Sequence, residues 1–201
     1  MICIDKAMAI GGLCEAFIFC DIINARVNSP VDGLSADNFK STVSLFNGEF
    51  FNDVLNNNVI DKIENPYYEG QCGLNDDKYM RYYPSGWLSV HYDFSIEKRL
   101  NEFKHRIELF NQFNKDVQNG TKNMFYVYAL GGHEEDITID EFNYACNNLP
   151  SYVLDNLLIV GAIRHPLFPL FTENFRCISY NYNLSGSEGY QEKVNQLWEK
   201  Y

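Results

Sequence analysis

The sequence predicts an α/β fold in three layers: a mostly parallel sheet of about four strands, covered by helices on both faces. Two observations predict it. In the last third of the chain, short apolar runs alternate with segments of helical periodicity. One of these runs, residues 157–163, is apolar throughout, as is typical of a parallel strand buried on both sides. We expect the 201 residues to form a single domain.

The first elements are a strand and a helix joined by glycines. Residues 6–10 are short and apolar, which predicts a strand, and the pair Gly11-Gly12 allows a tight turn after it. Helical periodicity then runs over residues 14–25 and is apolar on most sides, so this helix is expected to be buried. Proline and glycine predict a turn at 28–33.

The middle of the chain is predicted to be less regular. Residues 36–46 are expected to form a short helix capped by Ser35, with further helical turns around residues 50–55. Over 56–94 many aromatic residues are interrupted by glycine, proline and asparagine. This composition predicts an irregular insertion with one short strand that leads to His91.

The most distinct helix is predicted at residues 95–117, where apolar residues recur on one face and Asn119-Gly120 provides a stop. The remaining predicted elements are a strand at 123–130, a helix at 138–147, strands at 157–163 and 175–182, and a closing helix at 189–201. The carboxyl ends of parallel strands meet at one sheet edge, where binding sites collect in such folds.

Charge narrows the range of partners. The chain has 16 basic and 27 acidic residues and a net charge of −11, so its surface should repel phosphate backbones and anionic lipid. We therefore expect no nucleic acid and no membrane partner. No apolar run approaches the roughly 20 residues of a membrane span. The amino terminus lacks the pattern of a secretory signal, which predicts a cytoplasmic protein. The expected partner is a small-molecule or peptide substrate.

The six cysteines are predicted to be reduced thiols, because they are scattered through a chain that is too large to need disulfides. No two of them have Cys-x-x-Cys spacing, so we expect neither a structural metal nor a cofactor. They are Cys3, Cys14, Cys20, Cys72, Cys146 and Cys177.

Cys14 is the leading candidate for a nucleophile, because it stands where the first strand ends and the first helix begins. Unpaired backbone N–H groups at a helix start favour the thiolate, and those of Gly12 and Leu13 could hold an oxyanion. The alternative is that Cys14 is a small apolar residue that caps a core helix.

His91 is the candidate base for this thiol, since an imidazole titrates near neutral pH. A base needs an orienting group, and Asp93 or, through space, Asp32 could provide it. In the alternative interpretation, the segment from His91 is a helix entry in which Asp93 or Ser95 caps the long helix.

The other histidines have weaker assignments. His105, between two basic residues in the long helix, is expected on a solvated face. His133 follows two glycines and precedes an acidic run, which indicates a metal site or an acidic loop. Arg164 and His165 follow a predicted strand. They could bind an anionic ligand, or His165 could replace His91 as the base.

Four segments together resemble a bacterial family described as papain-like cysteine peptidases, a domain of unknown function. They are Ile10-Gly11-Gly12-Leu13-Cys14, Pro30-Val31-Asp32-Gly33, His91-Tyr92-Asp93-Phe94, and Arg106-Ile107 with the following strand at Phe125-Tyr126-Val127. The order and spacing of these short motifs carry the resemblance, which covers about two thirds of the chain.

Departures from the family pattern concern mainly Asp32. Val31 and Gly33 stand where the family has aromatic residues, and Ala9 replaces a usual serine. The family name implies an α+β, papain-like fold, with a helical half and a β-barrel half. The strand–helix alternation after residue 123 favours the parallel sheet instead.

Two function classes follow. The first is a hydrolase or acyltransferase in which Cys14 attacks an amide, ester or thioester. The second is a noncatalytic protein that binds a small molecule or saccharide through Arg164, His165 and aromatic side chains. An accessory role in surface-polysaccharide assembly is a further possibility, suggested by a family-level association.

Overall fold

The computed structural model describes residues 3–11, 15–32, 34–36, 39–56, 59–61, 80–82, 85, 87–89, 96–130, 138–162 and 168–180. Within these ranges the strands are β1 (Lys6–Gly11), β2 (Leu34–Ala36), β3 (Val59–Asp61), β4 (Met80–Tyr82), β5 (Trp87–Ser89), β6 (Met124–Leu130), β7 (Leu157–Ala162) and β8 (Arg176–Tyr180). The helices are α1 (Glu15–Ile22), α2 (Val43–Phe46), α3 (Glu49–Leu55), α4 (Ile96–Gln118), α5 (Ile139–Asn148), α6 (Ser151–Leu154) and α7 (Phe168–Asn174), with a 3-10 turn at Phe39–Thr42 before α2.

The main sheet has four strands in the order β1-β6-β7-β8, and every neighbouring pair is parallel. The predicted α/β class is therefore confirmed, and the parallel sheet decides against the papain-like alternative. Residues of β6 are buried at every position, which is why the strand reads as an apolar run with no alternation.

Helices cover both faces of the sheet, as predicted. Inward residues of α1, such as Phe19 and Cys20, pack with Val127 and Leu158 on one face. On the opposite face, phenylalanines of α4, α5 and α7 and Val153 of α6 belong to one core cluster with side chains of β6 and β7. This division follows from topology: β1, β6, β7 and β8 succeed one another in one direction, and right-handed crossovers then put their helices on one face.

The helix α1 lies on the other face because the chain turns back after it. A parallel bridge between Ala7 and Arg26 places the segment after α1 along the outer edge of β1. Backbone bonds from Ala7 N to Ala25 O at 2.7 Å and from Val27 N to Ala7 O at 2.8 Å hold it there. The crossover from β1 to this segment runs away from β6. The right-handed rule therefore places its helix, α1, on the face opposite to that of the helices between β6, β7 and β8.

The aromatic insertion is more regular than predicted. The strands β2, β5, β4 and β3 form a second, antiparallel sheet in that order. Each strand is only three residues long, too short for an alternating pattern to identify it in the sequence. The strand predicted before His91 is confirmed in part, as β5.

One further prediction needs correction, two helices were not predicted, and one predicted helix lies outside the described residues. Residues 34–36 form β2, where the sequence predicted the cap and first residue of a helix, because pairing with β5 overrides the local pattern. The next described helical turn is Phe39–Thr42. The helices α6 and α7 were not predicted. The closing helix at 189–201 lies outside the described residues.

The start of α5 agrees with the prediction to one residue, because local chemistry defines it. The Thr138 hydroxyl accepts from Glu141 N at 3.2 Å, and the Glu141 carboxylate accepts from Thr138 N at 3.0 Å. This is a complete capping box.

Candidate functional site

The carboxyl ends of β1 and β6 lie side by side, since Gly11 at the end of β1 pairs with Tyr128 of β6. The helix after β1 packs on one face of the sheet, and the helix after β6 packs on the other. Two neighbouring strands whose chains leave in opposite directions form a topological switch point, where α/β proteins bind ligands. The candidate site is therefore at the end of β1.

Gly11 allows close packing at this point. A Cβ atom there would lie 2.8 Å from Thr42 Cγ2 and 2.8 Å from Tyr128 Cε2. Both neighbours are fully buried, and the Tyr128 ring lies 4.8 Å from Phe39 in an edge-to-face contact. The end of β1 therefore packs closely against the buried side chains of Thr42 and Tyr128.

We expect Gly11→Ala to lower the free energy of unfolding by about 1–3 kcal/mol, the usual cost of overpacking a filled core. Thermal unfolding should shift down by roughly 2–4 °C for each kcal/mol. Adding Thr42→Ser removes the clashing Cγ2 and should recover part of the loss. An unchanged melting temperature for Gly11→Ala would contradict the close packing.

The segment that follows α1 ends in a tight turn built around Asp32. Asp32 N donates to Ser29 O at 3.2 Å, and the Asp32 carboxylate accepts from Ser29 N at 2.9 Å. Val31 N donates to Ser29 Oγ at 3.2 Å. Serine, proline and aspartate are typical turn residues, so the turn predicted at 28–33 is confirmed for its described residues. It carries the carboxylate of Asp32 into the protein.

Arg26 binds this carboxylate. Its Nη2 lies 3.0 Å from Asp32 Oδ2, and its Nη1 lies 2.5 Å from Asp21 Oδ2. The Asp32 side chain is 3% exposed and that of Arg26 25%, so the pair is largely withdrawn from water. The guanidinium also stacks 5.1 Å from the ring centre of Phe17.

A second arginine reaches the same residue from α4. Arg106 Nη1 donates to the backbone oxygen of Asp32 at 3.1 Å. These two positions are 74 residues apart and belong to two of the segments that carry the family resemblance. The fold thus brings two of the quoted motifs into direct contact.

One oxygen of the Asp32 carboxylate, Oδ1, is buried and has no hydrogen-bond partner among the described residues. Arg26 Nε is likewise buried without a hydrogen-bond partner there. Burial raises the pKa of Asp32, while the positive charge of Arg26 and the Ser29 N–H bond offset part of that rise. A buried acceptor without a donor is costly, so Oδ1 is the natural place for a further N–H or O–H group.

Only one of the predicted site residues lies within the described part of the chain, and that is Asp32. Cys14 directly precedes the first described residue of α1. The remaining predicted site residues lie outside the described ranges together with it: Gly12, Leu13, His91, Asp93, His133, Arg164 and His165. His105 is described, and its side chain is 68% exposed beside Glu108, as predicted.

Arg26 is a site residue that sequence reasoning missed. A signal for it existed, because Arg26 is the single basic residue between Lys6 and Lys40 and stands six positions before Asp32. An isolated arginine in an apolar stretch usually has a buried acidic partner.

None of the described cysteines is a candidate nucleophile for this site. Cys3 is an exposed residue. Cys20 is fully buried, and burial together with the negative charge of Asp32 raises the pKa of its thiol. Burial raises the pKa of Cys146 and takes that of Cys177 to about 11. All four described cysteines are free thiols, in line with the predicted reduced state.

Neither a metal centre nor a membrane span is found in the part of the chain that the structure describes. No three His, Cys, Asp or Glu side chains converge there as metal ligands. Among the same residues, no helix is long and apolar enough to cross a membrane.

Fold and site together define an α/β protein with a parallel main sheet, a small antiparallel sheet, and a largely buried arginine–aspartate pair in the segment that follows α1. Comparisons of the chain with protein-family models, with curated proteins and with solved structures find no match.

Proposed function

We propose that this protein is a thiol hydrolase or acyltransferase in which Cys14 is the nucleophile, His91 the base and Asp32 the residue that orients His91. The carrying observation is the register of the small sheet. Leu34 of β2 pairs with Ser89 of β5 in an antiparallel ladder. Asp32 is two residues before Leu34, and His91 is two residues after Ser89.

Continued by two residues, this register would set position 91 opposite Asp32. Directly opposite residues of an antiparallel pair have Cβ atoms about 5 Å apart and point to one side of the sheet. The open Oδ1 atom of Asp32 could then accept the N–H group of an imidazole. That bond would fix the tautomer of His91 and leave its other nitrogen for the thiol. The register therefore supports Asp32 over Asp93 as the orienting group.

The switch point supports the role of Cys14. It follows β1 by three residues and precedes α1, so it belongs to the chain that leaves the sheet at the edge where α/β proteins bind ligands. A thiol at the start of a helix is also favoured as thiolate by the helix dipole.

In the proposed reaction, the Cys14 thiolate attacks the carbonyl carbon of an amide, ester or thioester. The backbone N–H groups of Gly12 and Leu13 stabilise the oxyanion. Protonated His91 gives its proton to the leaving amine, alcohol or thiol, which departs and leaves an acyl thioester on Cys14. Water or an acceptor then attacks, with His91 taking its proton, and the free thiol returns.

Alkylation of Cys14 tests this assignment. At pH 6, iodoacetamide should modify Cys14 at least about tenfold faster than an ordinary thiol, which is under 1% thiolate there. His91→Ala should remove most of that excess by raising the thiol pKa. Peptide mapping by mass spectrometry separates Cys14 from the other thiols, of which Cys20, Cys146 and Cys177 have raised pKa values.

His165→Ala is the matched control and should leave the rate nearly unchanged. A slow rate for His165→Ala with a normal rate for His91→Ala would transfer the base to His165. An ordinary alkylation rate for wild-type Cys14 would favour the alternative function, a noncatalytic protein that binds a small molecule or saccharide. Incubation with a p-nitrophenyl ester adds a direct assay, because the proposal requires an acid-stable acyl adduct on Cys14.

A further inference from the structure

Arg26 makes more side-chain contacts than an exposed surface arginine usually makes. Its guanidinium binds Asp21 and Asp32 at once and stacks on Phe17, and three quarters of the Arg26 side chain is buried. The carboxylate of Asp32 makes one bond to it, from Nη2 to Oδ2, and not the two parallel bonds of a full fork. One carboxylate oxygen is thereby tied down, and the other is left for a different donor.

We propose that Arg26 is a positioning residue for the Cys14–His91 pair, acting through Asp32: it binds Oδ2 and leaves Oδ1 to accept a hydrogen bond from His91. This inference rests on the proposed function. It adds a residue that has no contact with the substrate and no place in the quoted motifs.

Among the groups that favour the ionised form of Asp32, Arg26 has the largest effect. Burial disfavours the carboxylate. Arg106 bonds only to the backbone oxygen of Asp32 and has a smaller effect. Cys20 is fully buried nearby, and its raised pKa keeps it a neutral thiol. Asp21 touches Arg26 and not Asp32.

Loss of Arg26 should therefore protonate Asp32 at higher pH. A neutral carboxylic acid supports an imidazolium much less than a carboxylate does, so the Cys14 thiolate and protonated His91 would be populated less. We expect Arg26→Gln to slow the alkylation of Cys14 at pH 6 about tenfold, equivalent to one unit in the thiol pKa. The acidic limb of the rate–pH profile should move to higher pH.

The experiment measures this profile for wild type, Arg26→Gln, Arg26→Lys and Asp21→Asn, with thermal unfolding of each to establish folding. Arg26→Lys retains the charge and should restore part of the rate. Asp21→Asn loses a bond to the same guanidinium and should keep the wild-type profile. In an Asp32→Asn background, Arg26→Gln should cause no further slowing, because the residue through which it acts is already neutral.

The outcomes separate the two proposals. If Cys14 reacts at an ordinary rate in wild type, the thiol mechanism and this inference both fail. If Cys14 is fast and depends on His91, but Arg26→Gln keeps the profile, only the role of Arg26 fails. Further slowing in the Asp32→Asn background would also overturn it, since Arg26 would then act by another route.

Discussion

Replacing Trp87 with alanine is expected to lower the free energy of unfolding by about 3–5 kcal/mol, the cost of removing a large aromatic side chain from a filled core. Trp87 is fully buried. Its ring lies 5.3 Å from that of Phe50, and its Nε1 donates to Ser44 Oγ at 2.9 Å. It thus attaches β5 to α2 and α3.

The effect should extend to the proposed site, because β5 leads toward His91. Thermal unfolding of Trp87→Ala should occur about 10 °C lower, and the alkylation of Cys14 at pH 6 should slow. Trp87→Phe keeps the ring packing but loses the indole bond, so it should lose less. Ser44→Ala leaves the indole N–H without its partner and should cost about 1–3 kcal/mol. A shift under about 2 °C for Trp87→Ala would show that the small sheet contributes little.

Asp32→Ala should destabilise the protein by about 2–3 kcal/mol, because it leaves the guanidinium of Arg26 and the Ser29 N–H without their shared acceptor. The value is below that of a fully buried pair, since a quarter of the Arg26 side chain is exposed. Denaturant unfolding at neutral pH measures it. Asp21→Ala, which removes the half-exposed partner of the same arginine, should cost much less.

Asp32→Asn adds a pH test. Burial raises the pKa of Asp32 above its ordinary value of 3.8. Between 3.8 and the folded pKa, the native protein holds a proton that the unfolded chain has released. Stability therefore falls as the pH rises through this interval and is level above it.

Asparagine does not titrate, so the stability difference between wild type and Asp32→Asn should narrow across that interval, by at most about 1.4 kcal/mol per pH unit. Unfolding in urea at a series of pH values measures the slope. A difference that widens with rising pH would contradict it, and would mean that a cation other than Arg26 and Arg106 faces the carboxylate.

Parts of the fold were predictable because local sequence defines them. The helix α5 begins at a capping box, and β7 is an apolar run of the length of a strand. The start of α1 at Glu15, one residue after the predicted start, also follows from local pattern. The strands β2, β3 and β4 were missed, because three residues of backbone pairing leave no periodicity to detect.

Of the candidate site, the sequence indicated Asp32, through the family resemblance, and did not indicate its partners; Arg26 was passed over. Nothing in a turn sequence shows that a carboxylate is buried, or that Arg106 from a distant helix bonds to its backbone oxygen.

By itself, the sequence determined the α/β class, the parallel main sheet with helices on both faces, and the strand and helix on either side of Cys14, because periodicity acts over a few neighbouring residues. Only the tertiary structure decided which carboxylate is withdrawn from water, which arginines hold it, and that Leu34 of β2 pairs with Ser89 of β5. Burial and cross-strand register depend on contacts between residues far apart in the chain, and those contacts exist only once the chain has folded.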